Sequence, residues 1–190
     1  MNYNGIMHKI NKPLLVIVCG RPGSGKTTLA HGLSQKIRCP IISRDELKEG
    51  YVNTVQKEHS GLANEEVINV NNGFFNVLKL MADHRISCIA ESAFQDKLWA
   101  PQYEALSQRA NIILVMCKAD SVISNKRYLE RKRDDPSREY FHGDSSVKTE
   151  NDVYEYIPPR FPVPVLEVDT TNGYEPGMEE IIAFIKEQRR

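Results

Sequence analysis

The feature that most constrains this sequence is a glycine-rich segment, GRPGSGKT at residues 20–27, which joins an apolar run to a helical pattern. The preceding run, LLVIVC at residues 14–19, is apolar throughout, as a strand buried on both faces requires. The segment fits the pattern G-x-x-x-x-G-K-[ST], whose glycines allow a tight turn that directs backbone N–H groups towards phosphate oxygens. The sequence therefore predicts a strand, a phosphate-binding loop and a helix in succession.

The side chains of this loop have predicted roles in holding ATP and Mg²⁺. Lys26 supplies a mobile positive charge for the β- and γ-phosphates, and the hydroxyl of Thr27 is suited to bind Mg²⁺. The helix that begins here adds the positive end of its dipole. The predicted nucleotide-binding residues of this segment are Gly20, Arg21, Pro22, Gly23, Ser24, Gly25, Lys26, Thr27 and Thr28.

Short apolar runs alternate with longer amphipathic segments along the rest of the chain. Strands are predicted at 14–19, 40–43, 86–90, 111–117 and 163–168, and helices at 27–37, 64–84, 99–109 (with a start near Pro101), 121–133 and 177–188. The pair of asparagines and the glycine at 71–73 weaken the middle of the second helix. This alternation predicts an α/β fold with a parallel sheet and helices on both faces.

Length and composition limit the class of protein. We expect residues 1–12 to form a polar leader and 13–190 a single domain, with a lid and long loop at about 119–162. The chain has 25 basic and 25 acidic residues, which weighs against long nucleic acid as a partner. Its apolar runs are shorter than the roughly 20 residues that a membrane span needs, and the leader has no signal-peptide pattern, so we expect a cytoplasmic protein. The scattered cysteines, Cys19, Cys39, Cys88 and Cys117, suggest small buried side chains rather than a metal site or disulfides.

Ligands of an open parallel sheet bind beyond the carboxyl ends of its strands, and Asp45 follows the second predicted strand. A carboxylate there can orient an acceptor hydroxyl and take its proton, which makes Asp45 the candidate catalytic base. An alternative is that Asp45 caps the N-terminus of a short ELKEG helix.

Glu91 follows the third predicted strand. It could bind Mg²⁺ through water or hold substrate hydroxyls, and the alternative is a plain surface glutamate at a strand end.

Two arginines of the predicted helix 121–133 are candidates for contact with phosphate. Arg127 and Arg131 are four residues apart and therefore share a helix face. Their guanidinium groups match the charge that develops on the transferred phosphoryl group, so both are catalytic candidates of a closing lid. The alternative is a solvated helix face, neutralised by Glu130, Asp134 and Asp135. Arg138 and His142 lie further along the same loop, with no defined role.

The segments GRPGSGKTTLA, ISRDEL, IAESAF, RYLERKR and EVDTT, taken together and in this order, resemble the small P-loop kinases of the zeta-toxin and polynucleotide-kinase type. The resemblance implies a five-stranded parallel sheet in the order 2-3-1-4-5 and transfer of the γ-phosphoryl group of ATP to an alcohol group. It also implies that Asp45 acts on the acceptor hydroxyl and that Arg127 and Arg131 contact the phosphates. The residues implied near the adenine are Asp169, Thr170 and Thr171.

Other functions remain open at this stage. The segment CKAD at residues 117–120 has the place of the N-K-x-D motif of GTPases, but Cys117 replaces the asparagine and no D-x-x-G follows an early strand. A further alternative is an ATP-binding module, or an ATPase that acts with a partner. For a kinase, the acceptor could be a sugar or sugar acid, a nucleoside or nucleotide, an antibiotic, or the 5′-hydroxyl end of an oligonucleotide. The aromatic residues Phe74, Phe75, Phe94 and Trp99 could stack on it, although core packing fits their helical spacing better.

Overall fold

The computed structural model describes residues 12–143, 147–152 and 155–188, so the predicted leader lies outside the described residues apart from Lys12. The strands are β1 (Leu14–Gly20), β2 (Ile41–Ser43), β3 (Cys88–Ser92), β4 (Asn111–Lys118) and β5 (Val165–Asp169). The helices are α1 (Lys26–Ile37), α2 (Arg44–Val55), α3 (Asn64–Asp83), α4 (Asp96–Ser107), α5 (Ser121–Asp134), α6 (Ser137–His142) and α7 (Met178–Glu187), with a 3-10 turn at His59–Gly61.

The five strands form one sheet with the order β2-β3-β1-β4-β5, and every strand pair is parallel. This confirms the predicted α/β fold and the implied strand order. The register pairs Ser43 with Glu91 and Gly20 with Cys117 at the carboxyl ends of the strands. The loops that leave β1, β2 and β3 therefore open at one edge of the sheet.

Two hydrophobic cores cover the two faces of the sheet. Alternate residues of β1 point to opposite faces, as in any strand. One core packs Leu15 and Ile17 against α3 and α4, and the other packs Val16 and Val18 against α1 and α7. The four aromatic residues considered for substrate stacking, Phe74, Phe75, Phe94 and Trp99, are all buried in the first core. Core packing is thus their role, and the four cysteines are buried, as predicted.

Some predicted boundaries differ from the observed ones. Strand β3 begins and ends two residues later than predicted, so Glu91 and Ser92 belong to the strand instead of following it. Helix α4 begins at Asp96 and contains Pro101, where the sequence predicted a start. The exposed proline is tolerated because Trp99, completely buried, anchors the first turn in the aromatic core. Helix α3 runs without a break through residues 71–73.

The segments around the phosphate-binding loop contain more helix than the sequence indicated. Helix α2 extends over 12 residues instead of five. The predicted loop at 134–162 contains α6, which packs against α2 and the 3-10 turn. None of the helices in the described part of the chain combines the length and hydrophobicity that a bilayer crossing requires.

Candidate active site

The phosphate-binding loop connects β1 to α1 and lies directly against α5. Gly23 has a φ of +78° and Gly25 a φ of +79°, in the left-handed region that favours glycine. A Cβ atom on Gly23 would overlap the backbone carbonyl oxygen of Ser124 in α5. Gly23 is therefore required for the close packing of the loop on α5 as well as for its own conformation.

Glu91 is the centre of a buried network at the start of α1. Its side chain is 2% exposed, which excludes the surface-glutamate alternative. One carboxylate oxygen, Oε1, accepts a hydrogen bond from the Thr27 hydroxyl at 3.1 Å and lies 3.7 Å from Nζ of Lys26. The other, Oε2, accepts a hydrogen bond from the Ser43 hydroxyl at 2.9 Å. Lys26 and Thr27 thus share one carboxylate, which Ser43 holds in place.

The hydroxyl of Thr27 and the carboxylate of Glu91 fit a magnesium site. Both are hard oxygen ligands of the kind that Mg²⁺ prefers, and they already lie within hydrogen-bonding distance of each other. Over residues 12–143, 147–152 and 155–188, no group of three or more His, Cys, Asp or Glu side chains could hold a metal ion by itself. The ion would need phosphate oxygens and water as its other ligands, which is usual for Mg²⁺ in nucleotide sites.

Asp45 lies in the first turn of α2, but Ser43 is the cap of this helix. The Ser43 hydroxyl accepts a hydrogen bond from the backbone N–H of Glu46 at 3.5 Å, so the interpretation of Asp45 as the cap is wrong. Oδ1 of Asp45 accepts instead from Nη1 of Arg44 at 3.2 Å. Desolvation raises the pKa of the Asp45 carboxyl, but the charges of Lys26 and Arg44 outweigh this effect and hold the pKa below its usual value. Asp45 is therefore ionised at neutral pH.

A cavity of about 350 Å³ opens between the phosphate-binding loop, α2, α5 and α6. Lys26 and Thr27 line it from the loop, Glu91 from β3 and Asp45 from α2. The remaining lining residues are Pro22, Ser43, Glu46, Lys48, Glu49, Ala93, Tyr128, Arg131, Arg138 and His142. We call this the acceptor-side cavity, since it places the candidate base beside the charged end of the loop.

On the other side of the loop, Arg127 lines two smaller cavities, of about 270 and 260 Å³. Gly25 and Thr28 line both. The guanidinium group of Arg127 donates to the carbonyl oxygens of Thr170 and Thr171 at 2.9 and 2.6 Å, which fixes it beside the loop that follows β5. We call this pair the nucleotide-side cavities.

Arg131 lines both the acceptor-side cavity and one nucleotide-side cavity, whereas Arg127 lines only the nucleotide side. The Arg131 side chain is exposed and is the member of the predicted pair that can reach both sides of the loop. In the described part of the chain, neither arginine pairs with Glu130, Asp134 or Asp135, the acidic residues that the solvated-face alternative invoked.

The three predicted residues of the segment after β5, Asp169, Thr170 and Thr171, have different contacts. The hydroxyl of Thr170 donates to the carbonyl oxygen of Ser24 at 2.6 Å, which ties this segment to the phosphate-binding loop. Asp169 is exposed and accepts a hydrogen bond from the backbone N–H of Thr171 at 2.7 Å. This bond lowers the pKa of Asp169. Asp169 thus stabilises the turn after β5. The carbonyl oxygens of Thr170 and Thr171 hold Arg127 beside the nucleotide-side cavities.

Sequence reasoning missed Lys48, Glu49 and Tyr128 as lining residues of the acceptor-side cavity. Lys48 and Glu49 follow Asp45 by three and four residues, the spacing that places side chains on one helix face. That signal was available once α2 was known to be a full helix. Tyr128 has no comparable signal, because it depends on how α5 packs beside the loop.

Comparisons with known proteins agree with this fold. A family model described as an AAA domain matches residues 15–155, and the chain belongs to this family. No curated protein sequence matches it. A candidate kinase from Chloroflexus aurantiacus has a similar structure, with a TM-score of 0.80, 24% identity and coverage of 93% of this chain and 98% of that chain.

Two further solved structures resemble the chain at lower identity. The APS kinase CysC of Mycobacterium tuberculosis has a TM-score of 0.60 and 16% identity, with 93% of this chain and 98% of that chain covered. A gluconokinase from Sinorhizobium meliloti has a TM-score of 0.55 and 16% identity, with 94% and 91% covered. The chain therefore shares its fold with P-loop kinases.

Proposed function

We propose that this member of the AAA domain family is a kinase that transfers the γ-phosphoryl group of ATP to a hydroxyl group of a small acceptor. The observation that carries the proposal is the composition of the acceptor-side cavity. It combines Lys26 and Thr27 of the phosphate-binding loop with the ionised carboxylate of Asp45. A nucleotide switch needs no such carboxylate facing its terminal phosphate across an open cavity.

In the proposed reaction, the acceptor hydroxyl oxygen attacks the γ-phosphorus, the bond to the β–γ bridging oxygen breaks, and ADP leaves. Asp45 accepts a hydrogen bond from the hydroxyl, orients it, and takes its proton. Because its pKa is lowered, Asp45 is a weak base, which suits a loose transition state in which the proton leaves late. Its main contribution is orientation.

The other residues stabilise the charge on the transferred group. Lys26 moves from its ion pair with Glu91 to bind phosphate oxygens. Arg131, which lines both the acceptor-side cavity and one nucleotide-side cavity, donates hydrogen bonds to the transferred phosphoryl group. Thr27 and Glu91 would hold Mg²⁺, Glu91 directly or through water, and the ion would supply positive charge beside the phosphates. Arg127 positions the nucleotide, together with Gly25, Thr28 and the segment after β5.

The comparisons support the reaction class and leave the acceptor open. The APS kinase was solved with AMPPNP and APS, and the other named neighbour is a gluconokinase, so related folds act on different acceptors. We assign the chain to the zeta-toxin and polynucleotide-kinase type within this fold, on the motifs quoted above. The acceptor classes in the proposal are sugars and sugar acids, nucleosides and nucleotides, antibiotics, and 5′-hydroxyl ends of oligonucleotides.

The test combines an acceptor screen with two variants. Wild-type protein with ATP and Mg²⁺ should form ADP faster with at least one acceptor class. Lys26→Ala should impair both ATP binding and turnover, since it removes a phosphate contact. Asp45→Asn should retain ATP affinity and lose transfer by about 10²- to 10⁴-fold. Equal loss of nucleotide affinity in both variants would refute the role of Asp45.

The same screen tests the alternative of an ATPase that acts with a partner. If no acceptor raises the rate of ADP release above slow hydrolysis, that function replaces the kinase. A higher affinity for guanine than for adenine nucleotides would instead favour a GTPase-like switch.

A further inference from the structure

We propose that the acceptor carries an oxyanion, a phosphate or a carboxylate, beside the hydroxyl that is phosphorylated, and that Lys48 and Arg138 bind it. This inference rests on the proposed function and specifies its substrate class. It concerns the part of the acceptor-side cavity between α2 and α6, away from the phosphate-binding loop.

Lys48 is the first observation. It lines the acceptor-side cavity, yet the residue is only 4% exposed. Within the described residues, its ammonium group has no hydrogen bond and no ion pair. Burial and the nearby Arg44 lower the pKa of Lys48 to about 8. A buried ammonium group without a partner is costly, and an anion bound in the cavity would remove that cost.

Asp45 and Glu49 raise the pKa of Lys48, but neither carboxylate lies within ion-pair distance of its ammonium group, and each contacts another side chain. Asp45 pairs with Arg44 at 3.2 Å. Oε1 of Glu49 lies 2.8 Å from Nε2 of His142. Lys48 therefore receives only partial compensation from these two carboxylates and has no direct partner among the described residues.

Arg138 is the second, independent observation. It comes from α6, on the opposite side of the cavity, and it too has no hydrogen bond or ion pair from its side chain among the described residues. Helix α6 is held against α2 and the 3-10 turn, where Gly143, with a φ of +69°, packs so closely on His59 that a Cβ atom would overlap its ring. Arg138 is therefore presented by a packed element, and with Lys48 it forms two cations that face one space from two sides.

Four cationic side chains and four carboxylates line the cavity, so the inference rests on the placement of two cations without direct partners in the described part of the chain, and not on the net charge. Lys26 and Arg131 are assigned to the transferred phosphate, and Mg²⁺ would offset Glu91. Burial lowers the pKa of His142 to about 4, so this side chain is neutral at pH 7 and offers no third positive charge. Lys48 and Arg138 remain as these two cations, on the part of the cavity lined by α2 and α6. Ammonium and guanidinium groups are the donors that bind oxyanions most strongly in proteins.

The test compares acceptors in matched sets: glycerol, glycerate and glycerol 3-phosphate, then glucose, gluconate and glucose 6-phosphate, then adenosine and adenosine 3′-phosphate. Wild-type protein should prefer a charged member of a set in kcat/KM by about tenfold or more. The kcat/KM of glycerate compared with glycerol 3-phosphate, and of gluconate compared with glucose 6-phosphate, shows whether the site prefers a carboxylate or a phosphate. Lys48→Met and Arg138→Met should abolish the preference by raising the acceptor KM, with the ATP KM unchanged, and Lys48→Arg should restore part of it. Lys36→Met, which removes an exposed lysine paired with Glu179, is the matched control.

A binding measurement keeps this inference separate from the reaction. Protein saturated with AMPPNP and Mg²⁺, which fill the nucleotide side, is titrated with inorganic phosphate. Binding should persist in wild-type protein and weaken about tenfold in Lys48→Met. The inference is overturned if neutral acceptors serve as well as charged ones, if Lys48→Met binds phosphate normally, or if AMPPNP abolishes phosphate binding. If no acceptor is phosphorylated while phosphate still binds through Lys48, the kinase proposal fails and the anion site stands.

Discussion

Replacement of Glu91 by glutamine should show how much the buried ion pair between Lys26 and Glu91 contributes to stability. The two charges lie 3.7 Å apart and are almost completely buried. At an effective dielectric constant of about 20, such a pair has a Coulomb energy of about 4 kcal/mol, and loss of one partner of a buried pair costs about 3–5 kcal/mol. Glutamine keeps oxygen and nitrogen atoms for Ser43 and Thr27, so we expect the free energy of unfolding to fall by about 3 kcal/mol.

The measurement is denaturant unfolding of wild-type and Glu91→Gln protein, without nucleotide and then with ATP in the absence of Mg²⁺. Phosphate oxygens can replace the lost carboxylate as partners of Lys26, so ATP should reduce the difference in unfolding free energy between the two proteins. With Mg²⁺ present, transfer should be slower in Glu91→Gln and should need more Mg²⁺ for half-maximal rate, because one candidate ligand has lost its charge.

The matched control is Glu167→Gln. Glu167 pairs with Lys118, but both side chains are 54% exposed, so the loss should be within about 0.5 kcal/mol. The reasoning is refuted if Glu91→Gln lowers the unfolding free energy by less than about 1 kcal/mol, or if ATP leaves the difference unchanged.

Three further predictions concern the loop, the arginines and α6. Gly23→Ala should abolish nucleotide binding, measured by calorimetry, because the methyl group overlaps α5, whereas Gly50→Ala, which meets no atom within 4 Å, should not. Arg127→Lys should raise the ATP KM about tenfold by losing the two-pronged contact with the segment after β5, and Arg131→Met should lower kcat with little change in that KM; the reverse pattern would contradict their assignment. His142 is neutral in the folded protein down to about pH 4 and titrates near pH 6.5 when unfolded, so its contribution to stability is lost as the pH falls from 6.5 to 4, by up to about 3 kcal/mol; His142→Gln should flatten the pH dependence of unfolding over that range, and an unchanged slope would count against its burial as a neutral ring.

The sequence by itself determined the fold and the phosphate-binding half of the site. Apolar runs alternating with amphipathic segments were enough for the parallel sheet, and the glycine pattern was enough for the loop at residues 20–27, whereas the strand order was implied by the resemblance to small P-loop kinases. Local chemistry also placed Asp45 and Glu91 at the correct edge of the sheet, because the carboxyl ends of parallel strands necessarily lie together. The errors were in boundaries, such as β3 and the start of α4, where burial of Trp99 outweighs the preference of Pro101.

Only the tertiary structure decided which charged side chains of the site lie close to one another. Thr27 and Glu91 are 64 residues apart in the sequence, and Lys26 directly precedes Thr27. The register of β1, β2 and β3 brings Glu91 into contact with both. Among the residues that the structure describes, Arg127 contacts the segment after β5 and Arg131 does not, and this difference depends on how α5 packs against that segment. Lys48 and Arg138 come from helices that meet only through packing, and neither has a sequence signal that predicts the other. Local patterns specify which residues are in a strand or a helix, but charge pairing depends on distances between elements that are far apart in sequence.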